Sequence, residues 1–269
     1  MIDSTKTAVA APRLPARVSL LGAEVDPITL SQAVDHIMTS LAAGIGGWVI
    51  TPNLDILRQL VVDRDFAQLA SGTTLRLPDG MPLVWASRLQ KTPIPERVAG
   101  SDLIWALTGA AADQGRSVYL FGGNAGAAEA ASVRFRELHP NLRITGAECP
   151  PFGFEYDDGY MRGLAHRLEA ASPDIVYVAL GCPKQERVTA LLRPRLPRTW
   201  FLGVGISFSF VSGEVKRAPA WMRRIGLEWF HRMMQEPGRL TRRYLIDGLP
   251  FAARLFWVSG VRGLRRRGS

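Results

Sequence analysis

Leu75-Arg-Leu-Pro-Asp-Gly-Met-Pro-Leu-Val-Trp-Ala-Ser-Arg88 reads as a strand, a turn and a helix in immediate succession. Leu75 to Leu77 is a short β-type run that Pro78 stops, Asp79-Gly80 supplies turn chemistry, and a helical run begins at Met81. An acid at such a junction sits at the carboxyl end of a strand and beside a helix N-terminus, where open α/β sheets bind ligands. Burial and neighbouring charges can raise a carboxyl there toward the working pH, which makes Asp79 a candidate general base. Taken in isolation, Pro-Asp-Gly reads more simply as a turn in which Asp79 is an ordinary helix cap. The surrounding chain favours the first reading.

Upstream, Trp48-Val-Ile50 is a short buried strand that runs into Thr51-Pro-Asn-Leu-Asp55 and a helical run with Ile56, Leu57, Leu60 and Val61. Thr51 and Asn53 therefore lie in a strand-to-helix turn, where they either hold a substrate or cap the helix; alone, capping is the simpler reading. Before them, Val18–Gly22 and Ala23–Val25 form a small hairpin, and Thr29 caps a helix through about Leu41.

Downstream, helix 81–90 leads to a proline-bounded loop carrying Arg97. Its fork of donors suits a phosphate or carboxylate, or a plain surface pair with Glu96 or Asp102. Ser101 is expected to cap the next helix, to about Ala112. The strand Ser117–Phe121 opens into Gly122-Gly-Asn-Ala-Gly126 and a helix through Leu138. A glycine-rich turn lets backbone approach phosphates at a helix N-terminus, so Gly122, Gly123 and Asn124 are candidates, although the spacing is not G-x-G-x-x-G. Leu142–Thr145 is the next strand, followed by the loop Pro150–Phe154 and helix 157–171. Ile175–Leu180 is apolar throughout, as a central parallel strand should be. It ends at Gly181-Cys-Pro-Lys-Gln-Glu-Arg187, where Lys184 and Gln185 are either ligand contacts or surface residues of a helix start. Trp200–Gly203 is the last strand. The alternation predicts an α/β fold with a doubly wound, mostly parallel, Rossmann-like sheet whose polar turns gather at one rim.

Charge separates the chain into unequal parts. Residues 216–269 hold 13 Lys and Arg against 3 Asp and Glu, leaving 20 and 21 for the first 215 residues. The reading is a flexible tail over 1–16, an α/β catalytic domain over 17–215, and a basic, aromatic-rich helical appendage over 216–269. In that appendage Leu245, Leu249, Phe256 and Trp257 fall roughly on one side if helical, Arg239, Arg242, Arg243, Arg254 and Arg262 supply charge, and Gly248 and Pro250 should break or kink the helix. A basic amphipathic segment with Trp and Phe suits an anionic membrane surface better than simple packing on the body. No apolar run is long enough for a spanning helix, and the N-terminus lacks a signal-type segment. Two cysteines, Cys149 and Cys182, give neither a disulfide framework nor a metal-ligand spacing, and fit a reducing compartment.

The ordered stretches Thr51-Pro-Asn53, Pro78-Asp-Gly80, Glu96-Arg-Val98, Phe121-Gly-Gly123, Pro173-Asp174 through Glu186, Gly203-Val-Gly205, Lys216-Arg-Ala-Pro219, Gly226–Arg232 and Gln235-Glu-Pro237 resemble the WecG/TagA/CpsF family of bacterial glycosyltransferases. The resemblance covers nearly the whole chain from about Val18 to Tyr244. Lys91-Thr-Pro and Ile206–Phe210 are less typical of it. It implies an inverting, metal-independent enzyme with no cofactor. Such an enzyme moves glucose or N-acetylmannosamine from a UDP-sugar to an undecaprenyl-diphosphate-linked sugar in surface polysaccharide assembly. It would sit in the cytoplasm as a peripheral protein on the anionic inner face of the plasma membrane, with homo-oligomers possible. The same resemblance makes Asp79 the base that deprotonates the acceptor. Thr51 and Asn53 would position sugar or acceptor, Arg97 and Gln185 would hold sugar or phosphate, and Arg232, Arg239 and Arg242 would contact phosphate. The basic segment is then expected to dock on lipid and close over the site.

Two other readings compete. The basic tail suggests nucleic-acid binding, but the charge is confined to one segment rich in Trp and Leu, so no nucleic acid is expected. A Rossmann-type oxidoreductase would need a glycine-rich first βα turn, and Thr51-Pro-Asn53 is not one.

Overall fold

A computed structural model describes residues 14–266, excluding the side chains of Arg224 and Arg239. Of the expected tail, residues 1–13 lie outside the described residues. The strands are β1 (Val18–Leu20), β2 (Ala23–Val25), β3 (Gly47–Ile50), β4 (Leu75–Arg76), β5 (Ser117–Gly122), β6 (Arg143–Glu148), β7 (Ile175–Ala179) and β8 (Trp200–Gly203). β1 and β2 make the small antiparallel hairpin. The other six form one sheet in the order β4-β3-β8-β7-β5-β6, each neighbouring pair parallel.

Alternation along the strands divides the core in two. Trp48, Ile50, Val176, Val178 and Phe201 face one layer, covered by helices Leu54–Val62, Met81–Leu89, Asp158–Ala171 and Lys184–Leu192. Val49, Ile175, Tyr177, Trp200 and Leu202 face the other, covered by helices Leu30–Ala42, Gly100–Asp113, Ala127–Leu138 and Ser207–Ser212. Helices on both faces are what a doubly wound sheet requires. The helices after the adjacent strands β3 and β8 go to opposite faces, which opens a crevice between them at the carboxyl rim.

Local expectations hold at Thr29, which forms a full capping box with Gln32. They fail at Ser101. Helix Gly100–Asp113 is preceded by Ala99, with no side-chain cap bond, and Ser101 already lies inside its first turn. They fail again in the C-terminal segment. Gly248 and Pro250 do not break it; helical backbone runs from Pro237 to Arg265 through a π-helical stretch, Arg242–Gly248. Pro250 stands in the first turn of helix Leu249–Arg265, where the N–H it lacks is least needed. The expected apolar stripe departs from the structure only at Phe256, which turns inward. Phe251, Leu255, Ser259 and Gly263 are buried, Phe256 packs partly against the core, and Leu245, Leu249 and Trp257 stay exposed.

Helix Leu249–Arg265 packs along helix Met81–Leu89, so close that a Cβ on Gly263 would collide with the Leu89 carbonyl. Gly263→Ala must push the two helices apart. We expect a loss of about 3 kcal/mol, the upper end for overpacking, read as a fall in Tm of about 8 °C. An unchanged Tm would show that the contact is not fixed.

Candidate functional site

The carboxyl ends of β4, β3, β8, β7 and β5, adjacent in the sheet, open into one cleft of about 1420 Å³. That exceeds the usual volume for a single small ligand and leaves room for a nucleotide-sugar-sized molecule plus part of a second one. Thr51, Asn53, Asp79, Arg97, Gly123, Asn124, Lys184, Gln185 and Arg232 all line it. Residues predicted from separate turns are thus brought together.

Asp79 follows β4, held by its backbone N–H to the Pro52 carbonyl, while Val98 N–H bonds the Pro78 carbonyl. It is not a helix cap: Gly80 occupies that position and no side chain caps helix Met81–Leu89. The carboxyl sits on the cleft wall with a quarter of its side chain exposed. Burial pushes its pKa up to about 7; the guanidinium of Arg97 opposes this, and Glu228 and Asp102 reinforce it.

Of the two pairs considered for Arg97, the one with Asp102 forms and the one with Glu96 does not, the Glu96 carboxylate accepting from the Leu30 N–H instead. Arg97 Nη1 donates to Glu228 Oε2 at 2.9 Å and lies 3.7 Å from Asp79 Oδ1, while Nη2 donates to Asp102 Oδ2 at 3.1 Å. Arg217 grips the same two acids, at 2.6 Å to Asp102 Oδ1 and 3.0 Å to Glu228 Oε1, and Arg223 lies 3.6 Å from Asp102. Burial works against the charge on Asp102 and on Arg217. Their mutual pairing outweighs it, lowering the Asp102 pKa and raising that of Arg217. Three arginines and three acids thus join the sheet rim to the C-terminal segment. Local patterning assigns no role to Arg217, Arg223 or Glu228, whose partners on the α/β body, Asp102 and Arg97, are more than a hundred residues away.

Asn53 does cap helix Leu54–Val62, accepting from the N–H groups of Asp55 and Ile56, and lines the cleft as well. Gln185 is buried. Its amide lies across Gly203, donates to Glu186 and accepts from the Gly205 N–H at 3.2 Å. Lys184 pairs with Glu155 and stands 5.8 Å from the rings of Phe152 and Phe154. Asn124 donates to Glu214 at 3.1 Å.

Three predicted contacts need correction or fall outside the description. Gly122 does not line the cleft; it ends β5 with φ +103°, where a Cβ would press on the Ala179 carbonyl, and the Gly123 N–H is spent on that same carbonyl. Arg242 is exposed and does not line the cleft, because the helix is interrupted at Glu236 and the spacing from Arg232 no longer keeps one face; Arg243 lines it instead, 2.7 Å from the buried Asp55. Arg239 belongs to helix Pro237–Thr241, but its side chain lies outside the described residues. Cys182 lines the cleft with its thiol pushed up by burial and by Glu186, which suits a packing role and not a nucleophile. Among the described residues no three His, Cys, Asp or Glu side chains are grouped to hold a metal ion, and no helix is long and apolar enough to cross a membrane.

Residues 18–265 match the family model described as glycosyl transferase WecG/TagA/CpsF family. Similar curated proteins are named N-acetylglucosaminyldiphosphoundecaprenol N-acetyl-beta-D-mannosaminyltransferase. That of Bacillus subtilis (strain 168) is 35% identical over 74% of this chain and 75% of its own length. That of Bacillus spizizenii (strain ATCC 23059 / NRRL B-14472 / W23) is 32% identical, over 79% and 81%. That of Staphylococcus aureus (strain MW2) is 27% identical, over 84% and 88%.

Proposed function

Because the chain belongs to the WecG/TagA/CpsF glycosyltransferase family, we propose that it moves a hexose or N-acetylhexosamine from a UDP-sugar to a polyprenyl-diphosphate-linked sugar, with inversion and without a metal ion. The observation that carries this reading is the Asp79 carboxyl, poised near pH 7 on the wall of a cleft large enough for donor and acceptor ends together. The relatives' names describe an N-acetyl-β-D-mannosaminyl group placed on a diphosphoundecaprenol-linked sugar. Forming a β linkage from an α-linked nucleotide sugar takes one displacement at the anomeric carbon and one general base.

In this mechanism the acceptor hydroxyl gives its proton to Asp79 as its oxygen attacks the anomeric carbon and the bond to UDP breaks. A base with a pKa close to the working pH combines a useful ionised fraction with useful proton affinity. Negative charge grows on the departing diphosphate, and the fixed cations lining the cleft, Lys184, Arg232 and Arg243, are there to receive it. The test is UDP release from a panel of UDP-sugars, with and without lipid-diphosphate-linked N-acetylglucosamine, and with EDTA. We expect release that depends on acceptor, is fastest with UDP-N-acetylmannosamine or UDP-glucose, and ignores EDTA. Release from none of the donors would sink the reading, and loss in EDTA would sink its metal-free part.

The protein would meet its lipid-borne acceptor as a peripheral protein on the cytoplasmic face. Supporting this, Trp221, Ile225, Met234, Ile246, Trp257 and Leu264 are exposed on the C-terminal segment among Arg242, Arg254, Arg262 and Arg266. Replacing Ile246 and Trp257 by Ser should weaken binding to anionic liposomes about a hundredfold, at roughly 1.5 kcal/mol per side chain. Equal co-sedimentation of the double variant would move the contact elsewhere.

A further inference from the structure

Arg97 is the nearest cation to the proposed base, yet it does not close on it. The Nη1 atom that lies 3.7 Å from Asp79 sits 2.9 Å from Glu228, and Nη2 is held by Asp102. Glu228 comes from the C-terminal segment, in helix Glu228–Gln235, and its other oxygen is fixed by Arg217 of the same segment. The charged groups set around Asp79 are therefore Arg97 from the loop before helix Gly100–Asp113, Asp102 from that helix, and Arg217, Arg223 and Glu228 from the C-terminal segment. Arg232, Glu236 and Arg243 line the same cleft farther along the segment.

We propose that Glu228 is a positioning residue: its carboxylate holds the Arg97 guanidinium off Asp79, so the base reaches its working form only when the C-terminal segment is seated. With Glu228 in place, the fork of Arg97 is shared between two acids that take no part in proton transfer. Without it, Nη1 has one acid left within reach, and a close ion pair with Asp79 would make that carboxylate a poorer proton acceptor. Direct repulsion between the two carboxylates acts in the same direction. A chain whose segment is unseated would then carry a quenched base, which couples proton transfer to closure.

This rests on the reading of Asp79 as the base, and the test separates the two. The pH dependence of kcat/KM and a ¹³C-carboxyl NMR titration are measured on full-length wild type, Glu228→Gln, Glu228→Asp and Asp79→Asn. Asp79→Asn identifies the Asp79 resonance by its loss and should abolish the acid limb near pH 7; a limb that survives would reject the base, and this proposal with it. Glu228→Gln should move both the limb and the Asp79 titration down by about one pH unit and lower kcat several-fold with little change in KM. Glu228→Asp, which keeps the charge, should hold both near wild type. A limb unmoved in Glu228→Gln, or displaced equally in both Glu228 variants, would overturn the assignment and leave Asp79 as the base.

Discussion

Asp79→Asn is expected to lower kcat about a thousandfold, within the usual range for a lost general base, while UDP-sugar binding survives. Asn keeps the shape and removes only the proton acceptor. The measurement is steady-state transfer beside donor affinity by calorimetry; unchanged turnover would remove Asp79 from the chemistry. The same substitution should stabilise the fold. The folded protein holds the Asp79 proton more tightly than the unfolded chain does, since burial raises its pKa from 3.8 to about 7. Wild-type stability contributed by this group is thus full below about pH 4 and lost as pH rises to about 7. Three units correspond to about 4 kcal/mol; partial exposure and the lost Arg97 contact reduce the gain to about 2 kcal/mol. Tm of the variant should exceed wild type by about 5 °C at pH 8 and match it near pH 4. A difference independent of pH would show that the carboxyl is not strained by burial.

Arg217→Ala carries the second large effect. Arg217 joins Asp102 on the sheet rim to Glu228 on the C-terminal segment, with its side chain only 16% exposed. Removing one partner of a buried pair costs about 3 kcal/mol, because the acids left behind remain away from water. If that cost falls on seating, the ratio of closed to open segment drops about a hundredfold, and transfer should fall as the open form becomes populated. Limited proteolysis should show new cuts between residues 216 and 248 while the α/β body resists. Wild-type transfer by Arg217→Ala would detach the segment from catalysis.

The rim of the cleft was readable because each of its parts obeys a local rule. Thr51, Asn53, Asp79, Asn124, Lys184 and Gln185 are polar residues in turns directly after apolar strands, and parallel strands put such turns on the same side. What escaped were contacts between distant parts. Glu228 lies in the Gly226–Arg232 stretch that carries the resemblance, with no role assigned to it there, and only tertiary packing sets it against Arg97. Arg242 shares a helical face with Arg232 and Arg239 only if the helix is continuous, and the break at Glu236 before Pro237 removes that condition. Pro250 signals a break by its missing N–H, but it falls in the first turn of helix Leu249–Arg265, where that loss is tolerated. The stripe Leu245, Leu249, Trp257 faces outward, the side that the membrane reading expects, while Phe256 turns to the core because the helix carries a second apolar face that is buried.

Helix Met81–Leu89 begins two residues after Asp79, and its length is the platform for helix Leu249–Arg265. A force applied to the terminal helix therefore has a short, stiff path to the turn that carries the carboxylate. Strain generated where Trp257 and Leu264 meet their surroundings would be felt at Gly80, like torque carried along a shaft to its bearing. Amide exchange at residues 80–84 should therefore respond to whatever loads the far end of the chain.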